Sequence, residues 1–153
     1  KLILNIKKNR KKIIVAGNGG SAAIASHFSV DMTKNGGVRC INFNESDLLT
    51  CFSNDYGYEN WLKQAIKFYA DRGDLIILIS ASGNSKNMLN AAKYSKKNKY
   101  KTVTFTGFNG KNKLSKLGAI NFTVNSKNFN YIENIHQYLL LALVDIIIEL
   151  KKR

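Results

Sequence analysis

The stretch IIVAGNGGSAAIASHF, residues 13–28, decides the fold. A run of β-branched apolar residues, Ile13, Ile14 and Val15, breaks into Gly17, Gly19 and Gly20, then restarts as an alanine-rich segment ending at His27 and Phe28. Strand, glycine turn and helix in immediate succession form the first unit of an α/β domain, because glycine tolerates a strand-to-helix reversal that a Cβ would block. Ser21 is expected to cap the helix that carries Ala22, Ala23, Ala25 and Phe28. The free N–H groups and positive dipole end of such a helix start suit an anion, so the turn is expected to hold a negatively charged ligand such as a phosphate.

Outward from that unit, strand-like and helix-like runs alternate. VRCINF (38–43) is followed by a short helix around SDLLTCF, a turn at SNDYGYEN and a helix over 61–70. DLIILIS (74–80) is a buried strand, 84–98 a helix, TVTFTG (102–107) a strand, KNKLSKLG a short helix and AINFTV (119–124) a further strand. Near-continuous apolar strands separated by helices predict a parallel sheet covered on both faces, with right-handed crossovers.

A chain of 153 residues with 44% hydrophobic content can build one domain with a substantial core, expected over residues 1–153. It opens KLILNIKKNRKK and reaches its first strand almost at once, so a preceding N-terminal piece is expected. No signal peptide is visible, and YLLLALV (138–144) is too short an apolar run to span a bilayer, which predicts no membrane association. Cys40 and Cys51 lack CxxC spacing and are expected to be reduced core thiols in a cytoplasmic protein. The net charge of +14 would suit nucleic acid, but the lysines are spread along the whole chain and only four basic residues are arginine. A solvated basic surface without specific nucleic-acid recognition is the expected consequence.

LIILISASGNSKN (75–87) repeats the opening logic, running from an apolar strand into Ser80, Ser82, Gly83, Asn84 and Ser85 before a helix begins. Hydroxyls and helix-start amides together cradle a phosphate without lysine or metal. Two such loops at the carboxyl ends of parallel strands lie where open α/β sheets bind ligands. GNGGSA also fits the G-x-G-x-x-A dinucleotide fingerprint, which needs an acid about 20 residues on; TKNGGVR supplies none and Glu45 lies well beyond it, so that reading is disfavoured.

GNGGSAAIASHF, NDYGYE, SASGNSKN, TFTGFNGK and IENIHQYLLLALVDIIIE, in that order and over most of the chain, closely resemble the sugar isomerase (SIS) domain family and, within it, the sedoheptulose-7-phosphate isomerases. The resemblance implies a flavodoxin/Rossmann-like three-layer α/β sandwich with a five-stranded parallel sheet. It also implies a homotetramer with active sites at subunit interfaces, and a long N-terminal helix that is missing here. By motif position Asn18, Gly19, Gly20, Ser21, Asn54, Asp55, Ser80, Ser82 and Ser85 would bind the sugar phosphate. Ala81 replaces the hydroxyl residue that the family usually places between the two serines, a loss worth about 1.5–3 kcal/mol of phosphate binding.

The family's chemistry is aldose–ketose isomerisation through an enediolate, which needs a base to move a proton between adjacent carbons and an acid or metal to polarise the carbonyl. His27 and Asp31 lie four apart on one helix face, and Asp31 occupies the position of a glutamate in the isomerases. Glu133 stands where they have glutamine, and Leu141 where they have a second catalytic histidine. His136 is five helical residues from Leu141, about 140° around the helix, and cannot substitute for it. Asp31 and Glu133 are thus the expected catalytic pair, and His27, Asp31 and Glu133 are a candidate three-ligand zinc site. Leu141 and Ala81 favour the competing reading, a non-catalytic phosphosugar sensor or tetrameric scaffold. The apolar LLLALVDIII helix is expected to be buried in an oligomer interface.

Overall fold

The computed structural model describes residues 1–151. In chain order its elements are α1 (Leu2–Lys8), β1 (Ile13–Ala16), α2 (Gly20–Asp31), which continues as a wider turn over Met32–Gly36, β2 (Cys40–Ile41), α3 (Ser46–Tyr56) and α4 (Trp61–Tyr69). There follow β3 (Leu75–Ser80), α5 (Lys86–Lys97), β4 (Lys101–Thr106), a 3₁₀ turn at Leu114–Lys116, β5 (Ile120–Thr123) and α6 (Phe129–Lys151). The five strands form one parallel sheet in the order β2-β1-β3-β4-β5. That order reverses between β1 and β3, and the crevice outside the carboxyl ends of those two strands is the topological switch point where such sheets bind ligands.

The period-2 alternation of side chains divides the core into two layers. Ile13, Val15, Ile77, Ile79, Val103 and Phe105 pack with Phe28 and Met32 and with Leu140, Val144 and Ile147 of α6. Ile14, Ala16, Ile76 and Leu78 point the other way, against Trp61, Leu62 and Ile66 of α4 and Met88, Ala91 and Ala92 of α5. Strands apolar on both faces therefore carry helices on both, giving the three-layer α/β sandwich.

Local details depart from the sequence reading. The N-cap of α2 is Gly19 and Ser21 lies inside the helix, buried, so Ser21 is not the cap. β2 shrinks to two residues at the sheet edge, where a short strand offers little open backbone. α3 runs through Tyr56, so Asn54 and Asp55 are helical and the turn begins at Gly57. Cys40 is buried, whereas Cys51 is exposed on α3 and is not a core thiol; both are free.

By length and composition alone α6 could cross a membrane. Its stripe of Ile132, His136, Leu140, Val144 and Ile147 is buried against the domain, the pattern of an outer helix packed on one side. The other side of α6 leaves Tyr131, Ile135, Tyr138, Ile146 and Leu150 exposed, and Val30 of α2 is exposed as well.

Candidate functional site

β1 ends in a turn that must pass very close to the helix it feeds. A Cβ on Gly17 would lie 2.5 Å from the backbone of Ser21, so no side chain fits there. The N-terminus of α2 then opens toward the cleft, but it meets a carboxylate of the protein itself. A Cβ on Gly20 would collide with the Glu133 carboxyl group, which places that negative group against the first residue of α2. The positive end of the α2 dipole is thereby matched internally. The sequence pointed to a negatively charged ligand at this turn, whereas in the structure the Glu133 carboxyl group already lies against it.

The loop after β3 is built differently. Ser80 is buried and its hydroxyl accepts the Gly83 amide at 3.2 Å. Gly83 holds φ +62°, the left-handed region, and its missing Cβ leaves room for Asn112. Ser82 Oγ accepts the Asn84 amide at 3.3 Å. Ser85 is the N-cap of α5 in an extended conformation, yet its hydroxyl makes no capping bond and sits 3.5 Å from Ser80 Oγ. The first turn of α5 contains no acidic residue. Free helix-start amides, a Ser85 hydroxyl that makes no capping bond and a first turn without an acid coincide here, an arrangement suited to a phosphoryl group.

Between the two loops is a cleft of about 510 Å³ lined by Asn18, by Tyr56–Asn60 and by Ser85, Lys86 and Asn87. Asn18 Nδ2 donates to Asn87 Oδ1 at 3.0 Å, Asn87 Nδ2 donates to Asn18 Oδ1 at 2.8 Å, and the Tyr58 hydroxyl donates to Asn18 Oδ1 at 3.3 Å. A larger hollow of about 650 Å³ lies at the opposite, amino-terminal edge of the sheet, lined by Arg72, Asp74, Lys99 and Tyr100, and holds none of the motif residues.

Of the sequence-predicted residues, Asn18 and Ser85 line the cleft, Gly19 and Gly20 form its first turn, and Ser80 and Ser82 shape the second loop. Asn54 and Asp55 stand exposed on the last turn of α3 and bond each other at 3.0 Å, outside the cleft lining. Sequence reasoning missed Tyr58 and Asn87. Both lie in the quoted motifs, and Asn87 carried a signal: asparagine in the first turn of a helix is costly unless its amide has a dedicated partner. The methyl of Ala81 points away from the cleft, into an apolar cluster with Val124 and Ile132.

His27 Nε2 lies 3.4 Å from Asp31 Oδ2, and the two side chains are 50% and 32% exposed, so His27 is not a core histidine. His27 is seven residues from Gly20 and Asp31 eleven, which at the helical rise is about 10 and 16 Å along α2. Glu133 is at Gly20, and Leu141 is eight residues further along α6, about 12 Å away. A zinc ion draws its ligands within about 2–2.3 Å, so one protomer cannot close the set. Among the described residues no group of three His, Cys, Asp or Glu side chains gathers for a metal, and the expected set of His27, Asp31 and Glu133 is split. Leu141 lines a shallow surface hollow with Gln137, Tyr138 and Asp145. His136 is fully buried, with Nε2 3.0 Å from the Thr106 carbonyl, and burial holds its pKa below the ordinary histidine value.

The SIS domain family model matches residues 1–107. A phosphoheptose isomerase of Aliarcobacter butzleri is 37% identical over 142 residues, 89% of this chain and 75% of that protein. A phosphoheptose isomerase of Helicobacter pylori is 34% identical over 152 residues, 95% of this chain and 79% of that protein. The structure of phosphoheptose isomerase GmhA from Neisseria gonorrhoeae superposes with a TM-score of 0.89 at 31% identity, over 95% of this chain and 81% of that one. A domain-family match over most of the chain, relatives of this closeness and a shared fold converge: the chain belongs to the SIS domain family, in its phosphoheptose isomerase group.

Proposed function

We propose that the protein is a phosphosugar isomerase that interconverts the ketose and aldose forms of a heptose phosphate such as sedoheptulose 7-phosphate. The observation that carries this reading is the loop of Ser80, Ser82 and Ser85 at the uncapped start of α5, beside Asn18 in the switch-point cleft. The phosphate sits on that loop, held by helix-start amides and hydroxyls. Its cradle of amides and hydroxyls suits a dianion, and Lys86, on the cleft wall, brings a positive charge that it shares with the Glu59 carboxylate at 3.6 Å. The sugar then extends along the cleft toward the α2 turn, where Glu133 meets its reacting end.

Isomerisation removes a proton from the carbon beside the carbonyl, forms an enediolate, and returns the proton to the former carbonyl carbon. Glu133, held against Gly20 at the α2 turn, acts on the hydroxyl proton that must shift with the enediolate. Asp31, at about 16 Å from the α2 turn, cannot reach a sugar in its own cleft, since proton transfer requires hydrogen-bond reach. His27 and Asp31 therefore serve the cleft of a neighbouring copy, with His27 orienting the carboxylate. The exposed apolar residues of α6, and the exposed Val30 that precedes Asp31 on α2, support a homotetramer that delivers the pair. The two free thiols accord with a cytoplasmic setting.

Leu141 supports the second reading, a phosphosugar-binding module without catalysis, because the histidine of the isomerase motif is lost. One experiment separates the two. The protein is incubated with sedoheptulose 7-phosphate in deuterium oxide, with and without zinc, and the exchanged carbon is examined for label. Isomerisation with label, abolished by D31N, is expected. Tight binding with no exchange under either condition assigns the module instead.

A further inference from the structure

Asn87 is the second residue of α5 and only 1% exposed, yet its side chain serves the α2 turn and not its own helix. Its carboxamide and that of Asn18, 69 residues earlier, are joined head to head at 2.8 and 3.0 Å. A carboxamide offers two acceptor sites on oxygen and two donors on nitrogen. On Asn18 both acceptor sites are taken, one by Asn87 and one by the Tyr58 hydroxyl, and one donor is spent on Asn87. A single N–H is left, on a residue that lines the cleft.

We propose that Asn87 is a positioning residue for the phosphosugar reaction: with Tyr58 it locks the Asn18 carboxamide so that Asn18 faces the cleft only as a donor. This rests on the isomerase reading and adds to it a selection rule. The bound molecule must place an acceptor oxygen, phosphoryl or carbonyl, against Asn18, and a ligand that offers only a donor there is rejected because the Asn18 oxygen is already filled. Tyr58 sits just after the helix-ending Gly57, so the same contact ties the segment over the cleft to the β1 loop.

The lock itself is tested without substrate. In the full-length protein the Asn18 side-chain NH₂ protons are expected to be well separated and slow to exchange with solvent. In N87A they collapse toward free-asparagine behaviour while the backbone spectrum stays native. The function of the lock is tested by a cycle of N87A, N18A and the double variant, read by KM, kcat and calorimetric Kd for sedoheptulose 7-phosphate. N87A is expected to raise KM and Kd about tenfold with kcat within about twofold, and to add under twofold in the N18A background. N87D, which keeps the acceptor but loses the donor, is expected to be worse than N87A, since it draws both Asn18 N–H groups away from the cleft. N87A and N18A effects that simply multiply, or a native Asn18 signal in N87A, overturn the proposal. Wild-type protein that neither binds nor isomerises the sugar overturns the isomerase reading, and the proposal with it, whereas the Asn18 signals still report whether the lock exists.

Discussion

The two strand-to-helix loops at the carboxyl edge of the sheet look alike in sequence and do opposite work. Each leaves a buried strand, turns through glycine and starts a helix whose positive end faces the switch-point crevice. At α2 that end is matched by the Glu133 carboxylate against Gly20; at α5 the first turn holds no acid and the Ser85 hydroxyl makes no capping bond. A helix N-terminus therefore does not by itself identify a phosphate site. What decides is whether a side chain from a distant part of the chain already supplies the negative charge, and here that side chain arrives from α6, more than 100 residues downstream.

The most severe way to break this contrast is to give the second loop the charge that the first already has. S82D places a carboxylate where the phosphate is expected. At about 4 Å and an effective dielectric constant near 20, two like unit charges repel by about 4 kcal/mol. Affinity for sedoheptulose 7-phosphate should fall about a thousandfold by calorimetry. E133Q removes a charge from the other loop and should leave the affinity within about threefold while kcat drops. If E133Q instead tightens binding many-fold, the phosphate belongs at α2, where the Glu133 charge would have opposed it, and the assignment of the two loops is reversed.

His136 sharpens the comparison from beneath. It shares α6 with Glu133 but faces inward, where Nε2 meets the Thr106 carbonyl and Nδ1 has no partner among the described residues. Burial penalises the imidazolium, and the Thr106 bond only partly opposes that, so the folded-state pKa is lowered. The neutral form is thus favoured by folding. Its contribution is complete above the unfolded value of about 6.5 and is lost as pH falls through that value toward the lower folded one. Wild-type Tm should fall below pH 6.5 by about 3–5 °C per pH unit relative to H136Q, whose amide keeps the Thr106 bond without titrating. Parallel Tm curves for the two proteins would show that His136 titrates freely in the fold.

Much of this was legible in the sequence, for identifiable reasons. The apolar runs at 13–15 and 75–79 fix the central strands because both their faces must be covered, and the glycine and serine stretches after them locate the cleft edge. What stayed hidden was long-range. That Glu133 would press on Gly20 and that Asn87 would pair with Asn18 depend on how elements distant in sequence lie against each other, whereas the distance of His27 and Asp31 from the turn was already countable along α2. The local pattern also misplaced the α2 cap. It favoured Ser21 by residue type, whereas the backbone of the Gly17–Gly20 turn carries the cap at Gly19, φ +54°. Asn54 and Asp55 were read as a turn because asparagine, aspartate and glycine cluster there, but α3 continues until Gly57.

The smallest expected effect concerns Ala81, where motif comparison and structure point in opposite directions. By resemblance the position lost a hydroxyl useful to phosphate, so A81S should restore about tenfold or more in affinity. In the structure the side chain is 5% exposed, its Cβ packs with Val124 and Ile132, and its carbonyl is already taken by the Gly107 amide at 2.8 Å. A hydroxyl added there enters an apolar cluster and does not reach the serine loop. A81S should therefore change the affinity for sedoheptulose 7-phosphate by less than about threefold while lowering Tm by about 2–6 °C, the cost of a buried, poorly partnered hydroxyl. A tenfold gain in affinity at unchanged Tm would mean that residue 81 turns toward the ligand on binding, and that the loop is shaped by the phosphate and not before it.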